Sequence, residues 1–328
     1  MGAPVELTAE PGPAFSGFSN ETLLFDALWT AAGGEPQTLG LAVRLEPSGH
    51  QVFPETLFET QVRVMSALAP TDVRVPEILW FERDRSVLGA KFFVMRKLHG
   101  RVPPDNPPYH VAGWLHDVTP EIRERIWWNG LDAMARVHRL DPARLDLPPL
   151  DDSDARHALE RATDYVAWVL RGRPYPLVTD TLARVAAEVP ERGEPSCLCW
   201  GDSRIGNVMY DDEGDVVAVM DWEMVTIGDP LADLAWFLLL DRHHSEACGV
   251  PPLEGFPSHA DTVARWEVAT GRSAQDLSWW MLLGAARYAA ILTRVMDLLE
   301  GTGMMPGAKD MAFENTSTTL LRSVLESS

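Results

Sequence analysis

The sequence predicts an α+β fold in two unequal parts, β-rich up to about residue 100 and mainly helical beyond it. Three observations point that way. Runs of alternating or β-branched residues at Thr38–Leu45 (TLGLAVRL), Val75–Trp80 and Lys91–Leu98 (KFFVMRKL) fall before residue 100. A breaker cluster, PPDNPPY at Pro103–Tyr109, follows them. Beyond it, apolar residues recur with helical period. With 328 residues and 46% hydrophobic content, the chain has enough core-forming side chains for one two-lobed unit or two domains. The expected division is 1–100 and 101–328.

In order, Met1–Pro13 reads as a Pro- and Gly-containing arm. Ser16, Gly17, Phe18, Ser19 and Asn20 suit a tight turn between strands. After the Thr38–Leu45 strand comes a helix over Pro54–Leu68, with Leu57, Phe58, Val62, Met65 and Leu68 on one face. The next two strands precede the breakers. Helices are then expected over Glu121–Leu140, Ala155–Leu170 and Thr179–Val189, with His138 a packed histidine. Further helices follow at Ala260–Thr270, Trp279–Leu299 and Met311–Glu326. No internal repeat interrupts this order.

Lys and Arg number 28 against 48 Asp and Glu, a formal charge of −20, which argues against a nucleic-acid partner. That acidity suits either a cationic small molecule or plain solubility. Cys197, Cys199 and Cys248 form neither a disulfide framework nor a zinc pattern, as expected of a reducing cytoplasm. The start, MGAPVELTAEPGPAF, carries no secretion pattern, and no apolar run approaches a membrane span.

The chemistry concentrates in Cys199–Trp236, CWGDSRIGNVMYDDEGDVVAVMDWEMVTIGDPLADLAW. Asp202 sits in a glycine-containing loop and Asn207 follows five residues later, the Asp-to-Asn spacing of the kinase loop H-R-D-x-x-x-x-N. Hairpin composition over Val208–Met220 returns the chain, so that Asp221 emerges near Asn207 and two oxygen ligands converge on one hard cation. Glu223 either faces the same side as Asp221 or is a surface residue. Asp229 and Asp233 read as a cap and first-turn support for the helix that follows.

On WGDSRIGN and MDWEMVTIGDPLADLAW, the chain resembles the aminoglycoside phosphotransferase and choline kinase-like branch of the protein-kinase fold. The resemblance implies a β-rich lobe binding ATP or GTP with Mg2+, and a helical lobe presenting a small-molecule hydroxyl acceptor. Asp202 is then the base, and Asn207 and Asp221 the metal ligands. Ser16–Asn20 would lie over the phosphates, and Met95, Arg96 and Lys97 would meet the adenine. Arg44 stands where such enzymes keep Lys; the chain has only Lys91, Lys97 and Lys309, so Arg44 is the default cation. The helix position for its Glu partner holds Gln61, with Glu59 the nearest carboxylate, and Trp200 replaces the commoner His. These departures leave open a nucleotide-binding pseudokinase or scaffold. The acceptor pocket is expected on the helix carrying Trp279, Trp280, Arg287, Tyr288 and Arg294. The acceptor could be an aminoglycoside, another sugar, an amino alcohol or a hydroxy-acyl compound, and the oligomeric state is open.

Overall fold

Alternation in the first hundred residues does build a sheet. A computed structural model describes residues 5–7, 12–14, 21–30, 34–47, 51–55, 57–191 and 193–328. Ser16–Asn20 lie outside the described residues. Strands β1 (Val5–Leu7), β2 (Gly12–Ala14), β3 (Glu21–Thr30) and β4 (Pro36–Leu45) precede helix α1 (Phe58–Leu68), and β5 (Ile78–Glu82) and β6 (Phe92–Arg96) follow it. They form an antiparallel six-stranded sheet of order β1-β3-β4-β6-β5, with β2 also on β3. Phe58 and Val62 of α1 close on Phe93 of β6, the two rings 5.2 Å apart, and this apolar contact fixes the helix against the sheet.

Two boundaries differ from expectation. Pro76 has no N–H to give a ladder, so β5 starts at Ile78 rather than Val75. Residues 52–55 bend instead of starting α1, which begins at Phe58.

The helical part comprises α2 (Trp114–Asp117), α3 (Pro120–Arg139), β7 (Asp152–Ser153), α4 (Ala155–Leu170), α5 (Pro176–Ala187), β8 (Cys197–Cys199), β9 (Val208–Tyr210), β10 (Val216–Val219), β11 (Thr226–Gly228), α6 (Leu231–His244), α7 (His259–Thr270), α8 (Leu277–Gly301) and α9 (Thr316–Glu326). Residues 233–240 of α6 are all buried, as a helix that is apolar on every side must be. It packs against α8, and Trp127, Trp200, Trp222 and Trp266 are the largest fully buried side chains around it. The hairpin β9–β10 forms as expected. The three-stranded sheet β7-β11-β8 was not anticipated, because strands of two or three residues leave no periodic pattern.

The two parts meet on the hairpin. Arg101 exchanges both backbone hydrogen bonds with Tyr210, at 2.7 and 2.8 Å, and the N–H of Val219 donates to the carbonyl of Arg74 at 2.8 Å. Gly100 beside the first tie has no room for a side chain, since a Cβ there would lie 2.6 Å from the Tyr210 carbonyl.

Buried Asp241 on α6 ties the breaker segment to α7: it accepts from the Tyr109 hydroxyl at 3.0 Å and bonds His110 Nε2 at 2.9 Å and His259 Nε2 at 3.1 Å. Burial pushes its carboxyl up, but the histidine hydrogen bonds outweigh that and hold it well below the carboxylate range. Its neighbours His243 and His244 are lowered too, here by burial itself, to about 4 and about 2. Both stay neutral in the fold while the unfolded chain takes up protons below about pH 6.5, so stability falls with pH through that window. His243→Gln should remove on the order of 1–3 kcal/mol of acid destabilisation between about pH 6.5 and pH 4. Thermal melts across that range check it; an unchanged acid limb would rule His243 out as a source.

Candidate active site

The loop after β8 is held by one carboxylate. Asp233 of α6 accepts the backbone N–H of Trp200 at 2.6 Å and of Gly201 at 2.8 Å, while the Ser203 hydroxyl donates to the Asp233 carbonyl at 2.7 Å. Behind it, Trp266 Nε1 donates to His138 Nδ1 at 3.0 Å, which leaves His138 Nε2–H to donate to Asp233 at 3.0 Å. His138 is thus packed, as expected, with both nitrogens engaged. Asp233 lies in the first turn of its helix, as expected, and its side chain in addition binds the loop. Asp229 does cap α6, accepting from Leu231 N at 2.9 Å and from Glu194 N at 3.1 Å. Gly201 adopts φ +91°, and a Cβ there would lie 2.1 Å from the Met224 carbonyl, so the turn requires glycine.

This frame presents Asp202 with fixed oxygens. Oδ1 accepts from Trp236 Nε1 at 2.6 Å, and Oδ2 accepts from Asn207 Nδ2 at 2.7 Å and Arg204 Nε at 3.4 Å. Burial works against the charge of Arg204, but Asp202 and Asp105 outweigh it and keep the guanidinium protonated. Asn207 Nδ2 also donates to the Asp202 carbonyl at 2.9 Å, which leaves Oδ1 of that amide to face a cation. The Met220 N–H donates to the Asn207 carbonyl at 2.9 Å, bringing the end of the hairpin beside the loop. Trp200 Nε1 reaches the carbonyls of Met220 and Asp221 at 2.8 and 3.2 Å, so the residue replacing His also ties the loop to Asp221.

Asp221 stands in the left-handed region at φ +59°, a conformation that costs an aspartate on the order of 1 kcal/mol and turns its carboxylate toward the sheet. There Arg44 Nη2 lies 3.1 Å from Asp221 and 4.0 Å from Glu223, so Glu223 does share the side of Asp221. An amide oxygen and a carboxylate are hard ligands suited to Mg2+, which keeps waters and takes substrate phosphates rather than a full protein cage. Among the described residues no group of three His, Cys, Asp or Glu side chains is placed to hold a metal ion.

Neither candidate partner from α1 reaches Arg44. Glu59 pairs with Arg83 at 2.6 Å, and Gln61 is buried with its Oε1 lacking a donor. Arg44 Nε is likewise buried without an acceptor. Met95, Arg96 and Lys97 lie at the end of the sheet, where the N–H groups of Arg96 and Lys97 already bond the carbonyls of Glu77 and Gly40 at 2.9 and 3.0 Å. Met95 packs against the sheet-side core, and Lys97 Nζ pairs with Asp26 at 3.1 Å.

A cavity of about 720 Å³ opens between the N-terminal end of α1, α4 and α8, and reaches Gly201 and Trp236 beside Asp202. From the expected acceptor helix, Trp280 and Arg287 line it. Trp279 instead donates to the Val185 carbonyl at 2.9 Å, Tyr288 packs edge-on to Trp236, and Arg294 holds the Gln51 carbonyl at 2.9 Å. The supports Asp233, Trp236 and Arg204 were missed by sequence reasoning. The one available signal was the i, i+3 spacing of Asp233 and Trp236, which puts both on one helical face.

Asp233→Ala would leave two buried N–H groups and a histidine unpaired, and is expected to cost about 3 kcal/mol of stability by urea denaturation. A loss below about 0.5 kcal/mol would show that the loop holds its shape without that carboxylate.

Known proteins resemble the chain in sequence and in fold. Among curated proteins the chain is 29% identical to mouse acyl-CoA dehydrogenase family member 10 over 210 residues, 61% of this chain and 18% of that protein. It is 26% identical over 303 residues to the probable acyl-CoA dehydrogenase IBR3 of Arabidopsis thaliana, 85% of this chain and 35% of that one. The chain therefore spans about a third or less of these relatives' length. In fold it is similar to a candidate aminoglycoside phosphotransferase of Ralstonia eutropha JMP134, with TM-score 0.73, 23% identity and coverage of 99% and 94% of the two chains. It is also similar to aminoglycoside phosphotransferase APH(4)-Ia in ternary complex with AMP-PNP and hygromycin B, with TM-score 0.60, 14% identity and coverage of 97% and 94%. The profile of the phosphotransferase enzyme family (APH) matches residues 16–267, most of the chain, and the protein belongs to that family.

Proposed function

We propose that the protein is an ATP- and magnesium-dependent kinase that phosphorylates a hydroxyl group of a small molecule. The observation that supports this most is the convergence of Asp202, Asn207 and Asp221 on one loop and hairpin, with the side-chain orientations fixed by hydrogen bonds. Asp202 accepts the proton of the acceptor hydroxyl, and Trp236 and Asn207 keep its two oxygens from rotating away. Asn207 and Asp221 would hold Mg2+, which supplies charge neutralisation of the nucleotide phosphates. Arg44, with Nε unpartnered beside Asp221, has hydrogen bonds to give a phosphate. The Ser16–Asn20 loop would cover the phosphates and the backbone at Met95–Lys97 would meet the base. GTP is the competing nucleotide. Residues 1–100 then form the nucleotide lobe and 101–328 the lobe for catalysis and acceptor.

The two carboxylates should separate in experiment. Asp221→Ala removes a metal ligand and should weaken Mg-ATP binding together with turnover, read as loss of the thermal shift produced by millimolar Mg-ATP. Asp202→Asn should leave that shift intact and lower kcat by about 10²- to 10⁴-fold with little change in KM. Near-native turnover by Asp202→Asn would remove Asp202 as the base, and no Mg-ATP shift in the folded wild type would remove the kinase reading altogether.

A further inference from the structure

Helix α8 turns Trp280, Leu283, Gly284 and Arg287 toward the cavity, an i, i+3, i+4, i+7 stripe along one face. Two members of this stripe are donors that lack acceptors. Trp280 is 4% exposed and its indole N–H is buried without a hydrogen bond. Arg287 makes no hydrogen bond or ion pair among the described residues; its guanidinium lies over the ring of Trp236, 5.5 Å from the centroid. In a chain of net charge −20 an arginine without a carboxylate needs a reason.

The carboxylates on the cavity wall do not supply one. Asp229 and Asp233 have their oxygens on backbone amides, Glu223 stands beside Arg44, Asp151 beside Arg161, and Glu55 and Asp164 are exposed and form no ion pair with Arg287. Asp202 and Asp233 favour the charge of Arg287 only from beyond ion-pair distance. Burial, reinforced by Arg161 and only partly opposed by Tyr165, Asp202 and Asp233, lowers Arg287 to about 10.

From this we infer that the acceptor carries an anionic group, a carboxylate or a phosphate, which Arg287 binds while the acceptor hydroxyl sits at Asp202. Trp236 sets the spacing: its N–H donates to Asp202 Oδ1 and its face carries Arg287, so anion and hydroxyl lie about one indole apart. Leu283, Trp168 and Phe53 give the remainder of the cavity an apolar wall suited to a short hydrocarbon segment. An acceptor without an anionic group would leave Arg287 unpaired. The step balances as an ordinary transfer: the acceptor oxygen forms a bond to the γ-phosphorus of ATP, the bond from that phosphorus to the β,γ-bridging oxygen breaks, ADP leaves, and the hydroxyl proton passes to Asp202. This inference rests on the kinase reading above.

The test uses the full chain with Mg-ATP and four probes: hydroxyhexanoate, its methyl ester, glycerol phosphate and kanamycin. ADP release gives turnover, and thermal shift with each probe alone gives binding. We expect turnover of hydroxyhexanoate or glycerol phosphate, the better of the two identifying the anion, and little of the ester or kanamycin. Arg287→Met should lower kcat/KM for the anionic probe roughly 10- to 100-fold, mainly through KM, abolish its thermal shift and leave the Mg-ATP shift unchanged. Arg287→Lys should restore part of the affinity. Relieved of a desolvated charge, Arg287→Met should melt no lower than wild type, so misfolding is readily told apart from lost recognition. Turnover of the ester or kanamycin in preference to both anions would overturn the inference and leave the kinase reading standing. An anionic probe that binds Arg287→Met as tightly as wild type would overturn it too. Absence of any Mg-ATP shift would instead defeat the kinase reading itself.

Discussion

Everything that this site does depends on a buried carboxylate gripping two backbone amides. Asp233 binds the N–H groups of Trp200 and Gly201, and His138 and Trp266 fix its orientation from behind. Charge-assisted bonds to amides in a low-dielectric interior are short and stiff, so the loop cannot drift relative to α6. Because Trp236 rises from the same helix one turn later, the hydrogen bond to Asp202 is held in the same frame. One rigid helix thus sets both the path of the loop and the direction of the reacting side chain, which is how a site of angstrom tolerance is built from a loop.

Electrostatics then divides the cleft. Beside the sheet, Arg44 faces Asp221 and Glu223, a positive group between two negative ones. The helix position that would have given Arg44 a Glu holds Gln61, and the arginine has taken its carboxylates from the other lobe. Its ion pair therefore spans the cleft. Across the cleft, Arg161 and Arg287 stand on a cavity wall that also carries Asp151, Asp229 and Asp233.

Much of the fold was legible because it rests on period. α4 was read to the residue, α3 within one, and β9–β10 from turn composition. Misses arose where a local rule gave way to tertiary contact: β11 pairs with β8 and β7, far from it in sequence, and the grip of Asp233 on the loop was missed because sequence shows the start of a helix but not what lies beside it. Asp202, Asn207 and Asp221 were legible from order and spacing, since the hairpin between the last two has composition of its own. Trp236 and Arg204 were not, as their partners are set by packing between elements far apart in sequence. The unpaired state of Arg287 is visible only in three dimensions.

The paired backbone of Arg101 and Tyr210, with the second tie between Arg74 and Val219, joins the hairpin to the chain on either side of β5 and β6. Both strands of the β9–β10 hairpin are thereby fastened to the sheet-bearing part, and β9 begins at the residue after Asn207. The stretch from Arg74 to Arg101, which contains β5 and β6, is thus pinned at both its ends to one hairpin, so those two strands and the Asn207–Asp221 pair share a single anchorage.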